Sequence, residues 1–182
     1  MKYVEKAVFL DRDGVINEVL SKRVKFVNRP EDFYLLDGVG EAIKKINDLN
    51  YKVFVVTNQG GVGLGYMAEK SLQRIHEKMK SDLAKYGAKI HDIAYCPHKP
   101  KEGCRCRKPE PEMLLQLAKK YNVDLTKSYM VGDRKQDIEA GFKAGTFTVL
   151  VGSRDEQVNA DFTFDDLLGF ALWLENNDMT LL

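Results

Sequence analysis

The chain has 182 residues, 44% hydrophobic and 30% charged, with a net charge of +1. That length buries a full core without staples, so residues 1–182 are expected to form a single domain. The charge balance lacks the basic bias of a nucleic-acid module, and no apolar run approaches the roughly 18 residues of a membrane span. The opening Met-Lys-Tyr-Val-Glu-Lys has no long apolar segment, so no leader is read and the expected compartment is the cytoplasm.

Apolar runs alternate with amphipathic stretches along the chain. Residues 7–10 read as a short buried strand, and the next residues are Asp11-Arg12-Asp13-Gly14. Residues i and i+2 of an extended segment point the same way, so Asp11 and Asp13 can reach one crevice. Adjacent carboxylates repel unless a cation lies between them, and magnesium suits an all-oxygen site. Gly14 permits a sharp turn. Residues 39–49 are predicted helical, with Val39, Ile43, Ile46 and Leu49 on one stripe.

A β-branched strand follows at 52–57, ending in Thr57-Asn58-Gln59-Gly60-Gly61, whose hydroxyl and free N–H groups suit an anion. Gly61, Gly63 and Gly65 miss the G-x-G-x-x-G spacing because position 66 is Tyr. A long helix is predicted over 68–86 and a short strand over 92–95. His76 and His91 read as ordinary core or surface histidines.

Next come Cys96-Pro-His98 and, five residues on, Cys104-Arg-Cys106. An odd cysteine count argues against a disulfide framework, whereas three thiolates and an imidazole fill a tetrahedral zinc site. With all four positions taken by protein, that metal would be structural, stiffening a loop at 96–106 that has no apolar core. Arg107-Lys108-Pro109 follows. Lys108 can place a charge on a phosphoryl oxygen, and Arg107 can grip a second anion bidentately.

A helix over 110–121 has Pro111 near its first turn. A strand over 128–131 runs into Val131-Gly132-Asp133, where a third oxygen ligand for magnesium would be needed. Asp137 lies near the start of a helix over 134–144, where it can orient ligands or stabilise the helix dipole. Gly145 is the expected C-cap. A strand over 147–151 and a helix over 164–174 complete the chain. The alternation predicts an α/β fold, a doubly wound parallel sheet with its ligand beyond the carboxyl ends of the strands.

The ordered set Asp-x-Asp-Gly, Thr-Asn, Lys, Gly-Asp-x-x-x-Asp resembles the four motifs of the haloacid dehalogenase (HAD) phosphohydrolases, over roughly residues 7–151. The resemblance implies a Rossmann-like HAD hydrolase domain that acts as a magnesium-dependent phosphomonoesterase. Asp11 would be the nucleophile, forming an aspartyl-phosphate, and Asp13 the general acid and base. Magnesium would be held by Asp11, the Asp13 carbonyl and Asp133. Thr57, Asn58, Gln59 and Lys108 would hold phosphoryl oxygens.

Residues 14–37 are too few for a large cap domain, so specificity is expected from loops 18–32, 59–66 and 99–108. A C-x-H…C-x-C loop before Arg-Lys-Pro resembles two groups, the heptose 1,7-bisphosphate 7-phosphatases and the histidinol-phosphate phosphatases. Residues 29–39 and Val-Thr-Asn-Gln-Gly at 56–60 favour the heptose group. The five-residue gap between His98 and Cys104 is more like the histidinol group. Gly63-Leu64-Gly65 stands where heptose enzymes often carry Ala-Arg-Gly. The expected partner is a small phosphorylated metabolite, a sugar bisphosphate first, with no membrane or nucleic acid and a monomeric state. Other readings remain open at this point: a broad sugar-phosphate or polynucleotide 3′-phosphatase, or a zinc-loop module binding nucleic acid or an acidic partner.

Overall fold

Branched and aromatic residues build the strands that the spacing predicts. The computed structural model describes residues 3–152 and 157–178. Strands β1 (Ala7–Leu10), β2 (Lys52–Asn58), β3 (Asp92–Cys96), β4 (Tyr129–Gly132), β5 (Phe147–Val151) and β6 (Phe162–Phe164) form one sheet. All pairings are parallel, in the order β3-β2-β1-β4-β5-β6. Helices α1 (Val39–Asp48), α2 (Glu69–Ala84), α3 (Glu112–Tyr121), α4 (Lys135–Ala144) and α5 (Leu167–Asp178) connect and cover it.

The sheet is apolar on both faces, as a parallel sheet between helices must be. Alternate residues of one strand enter different cores. Val8 and Leu10 pack with apolar residues of α1, α2 and α5, while Ala7 and Phe9 pack with those of α3 and α4. The α1 stripe of Val39, Ile43 and Ile46 is buried as its spacing predicts, and Gly145 closes α4 at φ 91°. Close approach sets some glycines. A Cβ on Gly141 would lie 2.6 Å from the Met130 Cβ, so this glycine lets α4 lie against β4.

One element departs from expectation. The helix predicted from Phe164 begins at Leu167, and Phe164 instead ends the short strand β6. Three residues are too few for a period-2 signal. A contact from outside the segment holds the strand: the Asp161 carboxylate accepts from the Thr148 N–H at 2.8 Å and the Thr148 hydroxyl at 3.1 Å.

The order of strands places the site. From β1 the chain steps outward to β2 and β3, then returns to lay β4 on the other side of β1. The crevice between β1 and β4 is therefore the switch point where such sheets bind ligands. Asp11 follows β1 there, and Asp133 follows β4. Between β1 and α1, residues 11–38 make a loop with one 3-10 turn at Pro30–Asp32 and no cap domain.

Candidate active site at the carboxyl ends of the strands

Asp11, Asp133 and Asp137 converge with carboxylate oxygens within 4.8 Å of one another, all three buried. Local backbone makes this possible. A Cβ on Gly14, at φ 86°, would collide with the Asp133 carboxylate, and one on Gly132 would collide with that of Asp137. Asp137 serves two partners. Its Oδ2 accepts from the Arg134 N–H at 3.1 Å, capping α4, and its Oδ1 accepts from Lys108 Nζ at 2.6 Å. The helix-stabilising position read for Asp137 is therefore present, and its other oxygen holds the Lys108 ammonium.

Lys108 is almost fully buried, and its ammonium also donates to Asp11 Oδ1 at 2.8 Å and to the Val56 carbonyl at 2.8 Å. An ammonium has three protons, so all are in use within the protein. Lys108, expected to reach a phosphoryl oxygen, anchors Asp11 in this structure. Burial alone would push Lys108 down, but Asp11 and Asp137 hold it above the usual lysine range. Burial and the Asp137 and Asp133 carboxylates push Asp11 above its usual range, against the pull of Lys108.

The three carboxylates gather at one buried point, with the Lys108 ammonium against Asp11 and Asp137. An all-oxygen donor set of this kind fits a hard divalent cation such as magnesium. Asp13 is not part of this cluster through its side chain.

Asp13 turns instead toward nitrogen donors: Arg12 Nη2 at 2.9 Å, Asn17 Nδ2 at 2.9 Å and Gln59 Nε2 at 3.0 Å. Burial pushes its carboxyl up, but the Arg12 guanidinium and the Asn17 and Gln59 amides outweigh burial and hold it below the usual range. Gln59 Nε2 also donates to Thr57 Oγ1 at 2.9 Å. Gln59, read with Thr57 as a phosphate ligand, thus bridges Thr57 and Asp13. The Asn58 side chain clamps the loop across from β2. Its Nδ2 donates to the Lys108 carbonyl at 3.1 Å, and its Oδ1 accepts from the Lys108 N–H at 2.9 Å.

Above these groups lies a cavity of about 300 Å³. Asp11 and Asp13 form its floor. Each of the three loops expected to set specificity contributes to its wall, through residues such as Phe26, Leu64 and Arg107. Arg134 and Gln136 of the α4 start also line it and were not singled out in the sequence. Arg12 and Asn17 were not singled out either, and His76, read as an ordinary core or surface histidine, is buried. The signal for His76 was its place on the α2 apolar stripe between Leu72 and Met79, where a buried imidazole needs a partner.

The predicted zinc ligands come together. Cys96 Sγ lies 2.9 Å from Cys106 Sγ, 3.5 Å from Cys104 Sγ and 3.4 Å from His98 Nδ1. The cysteines are free thiols. Four soft or borderline donors around one point fit a tetrahedral metal. The loop is strapped to its neighbour: the Gly63 N–H donates to the Pro97 carbonyl at 2.8 Å. A Cβ on Gly63 would lie 2.8 Å from both Pro97 O and Lys99 N, which accounts for glycine there. Arg107 Nη1 donates to the His98 carbonyl at 3.3 Å, so the loop aims this guanidinium at the cavity.

The HAD-hydrolase-like family model matches residues 105–168. A D-glycero-alpha-D-manno-heptose-1,7-bisphosphate 7-phosphatase of Photorhabdus laumondii is 42% identical over 147 residues, 77% of this chain and 78% of that one. A D-glycero-beta-D-manno-heptose-1,7-bisphosphate 7-phosphatase of Pseudomonas putida is 37% identical over 173 residues, 91% of this chain and 97% of that one. Among solved structures, D,D-heptose 1,7-bisphosphate phosphatase from B. bronchiseptica, complexed with magnesium and phosphate, superimposes with a TM-score of 0.86 at 34% identity. That match covers 94% of this chain and 98% of the other.

Proposed function

We propose, from the premise that this chain belongs to the heptose 1,7-bisphosphate 7-phosphatase family of HAD-like hydrolases, that it removes the 7-phosphate of a heptose 1,7-bisphosphate with magnesium. The chain is a phosphatase, a hydrolase of phosphoric monoesters. The observation that carries the substrate reading is the single cavity in which Asp11 and Asp13 share walls with Arg107 and Arg134. The reacting carboxylates and two guanidinium groups line one cavity, and the guanidiniums suit a second anion, which a bisphosphate supplies and a monophosphate does not.

In this reading an Asp11 oxygen attacks phosphorus, forming an O–P bond as the bond from phosphorus to the sugar oxygen breaks. Lys108 fixes the other Asp11 oxygen, so the nucleophile is aimed before substrate arrives. The departing sugar oxygen takes a proton from Asp13. Asp13 rests as a carboxylate and gains that proton from solvent as the anionic phosphate enters beside it, because a nearby like charge raises a carboxyl pKa. Asp13 then takes a proton from water as the water oxygen attacks phosphorus. The Asp11–phosphate bond breaks and inorganic phosphate leaves. Asp11, Asp133 and the Asp13 carbonyl would hold magnesium, which supplies neutralisation of the gathering negative charge.

Cys96, His98, Cys104 and Cys106 would hold zinc as a structural clamp for Arg107. Thiols kept for a metal fit a reducing compartment such as the cytoplasm. Replacing Asp11 by Asn tests the mechanism. Phosphate release is expected to drop by at least about a thousandfold, the scale of losing a covalent nucleophile, with the melting temperature maintained. Turnover within about tenfold of the parent would contradict the assignment.

A further inference from the structure

The fully buried Arg12 takes no part in the chemistry above, yet it lies between the two reacting carboxylates in sequence. Its Nη2 and Nε reach Asp13 Oδ1 at 2.9 and 3.3 Å, and Asn17 Nδ2 reaches the same oxygen at 2.9 Å. Asp13 Oδ2 accepts from Gln59 Nε2 at 3.0 Å. An oxygen ringed by three N–H donors has no room for a proton, so the proton that Asp13 carries in turnover belongs on Oδ2.

Behind Arg12, its Nη1 meets His76 Nε2 at 3.2 Å. A guanidinium only donates, so His76 Nε2 accepts and its proton lies on Nδ1. His76 is itself buried on α2, and its ring lies 6.0 Å from that of Tyr95 on β3. The fork of Arg12 is thereby held at both ends, by Asp13 in front and an imidazole fixed to two elements behind.

We infer that Arg12 and His76 are positioning residues for Asp13, a buried brace that turns Oδ2 toward the oxygen of the departing alcohol. The inference rests on the phosphatase reading. A purely structural role, in which His76 only satisfies a buried guanidinium, predicts loss of stability with equal loss on every substrate.

The test uses leaving groups of different need. A sugar alkoxide leaves only with a proton, whereas p-nitrophenolate leaves without one. The quantity is kcat/KM, which covers steps up to release of the alcohol and excludes hydrolysis of the phosphoenzyme. In His76→Leu with magnesium, kcat/KM for heptose 1,7-bisphosphate is expected to fall at least about tenfold, against about twofold for p-nitrophenyl phosphate, since general acid catalysis is worth about a hundredfold or more. His76→Gln, whose amide oxygen can accept from Arg12, is expected to restore the sugar ester to within about twofold of the parent. Should His76→Leu fail to fold, Arg12→Lys, which keeps the charge and loses the fork, is expected to show the same selective loss. Equal losses on both esters, or none on either, would overturn the brace. A parent protein that cleaves neither ester would overturn the phosphatase reading itself, and the brace with it.

Discussion

A neutral histidine against a guanidinium makes stability depend on pH. Burial, then Arg12, push His76 down to about 3. Above pH 6.5 the imidazole is neutral in both folded and unfolded chains. Below it, the unfolded chain takes a proton that the folded one refuses. Stability is therefore lost as pH falls from about 6.5 toward about 3, by up to about 1.4 kcal/mol per pH unit. Asp11, being pushed up, acts with the opposite sign, so the difference between parent and His76→Gln isolates the histidine. Denaturation followed from pH 7 to pH 4 is expected to show a shallower acid-side decline in His76→Gln, and parallel curves would contradict it. Residues of this kind were not legible in the sequence. The motif spacing put Asp11, Asp13 and Asp133 in one crevice because strand geometry is local. The contact between Arg12 and His76 spans 64 positions, and no periodicity encodes it. Gly63 is similar: its reason is the backbone of another loop, not a turn.

Among elements, the loop at 96–106, proposed to hold zinc, is tied to both core and cavity, since Cys96 is buried in the apolar core and Arg107 lines the cavity. It connects β3 to the residues that precede α3 and is strapped to the β2–α2 loop through Gly63 and Pro97. With zinc held there as proposed, removing it with a strong chelator and then restoring magnesium is expected to free Arg107. Loss of its charge-assisted bonds to a second phosphate costs about 1.5–3 kcal/mol, or roughly ten- to a hundredfold in KM for a bisphosphate. Turnover of p-nitrophenyl phosphate, which has no second phosphate, is expected to change far less. Equal effects on both would mean that the loop supports the catalytic floor and not Arg107. The Cys and His spacing made this loop readable, since four candidate ligands within eleven residues need no tertiary information. Strand β6 was unreadable for the opposite reason, because β5 and the Asp161–Thr148 contact supply what three residues cannot.

For the molecule as a whole, the fold gathers three carboxylates, an all-oxygen donor set, at the switch point. Magnesium that binds there should therefore stabilise the folded state. At a hundredfold excess over Kd the gain is about 2.7 kcal/mol, roughly 5–10 °C in Tm for a domain of this size. Asp133→Asn is expected to lose most of that rise, and a rise of unchanged size would place the cation elsewhere. Among the described residues no helix is long and apolar enough to cross a membrane. The alternation of apolar runs was enough to read the doubly wound sheet, because each buried strand and each striped helix carries its own period. The joining of three loops and the α4 start around one cavity follows from that topology, and it is where the proposed substrate choice would be made. The most direct test compares kcat/KM for heptose 1,7-bisphosphate with that for histidinol phosphate at matched magnesium and protein concentrations. A strong preference for the bisphosphate, with one phosphate released and the sugar 1-phosphate left intact, is the expected result. A preference for histidinol phosphate, or release of the 1-phosphate first, would contradict the assignment of Arg107 and Arg134 to a retained second anion.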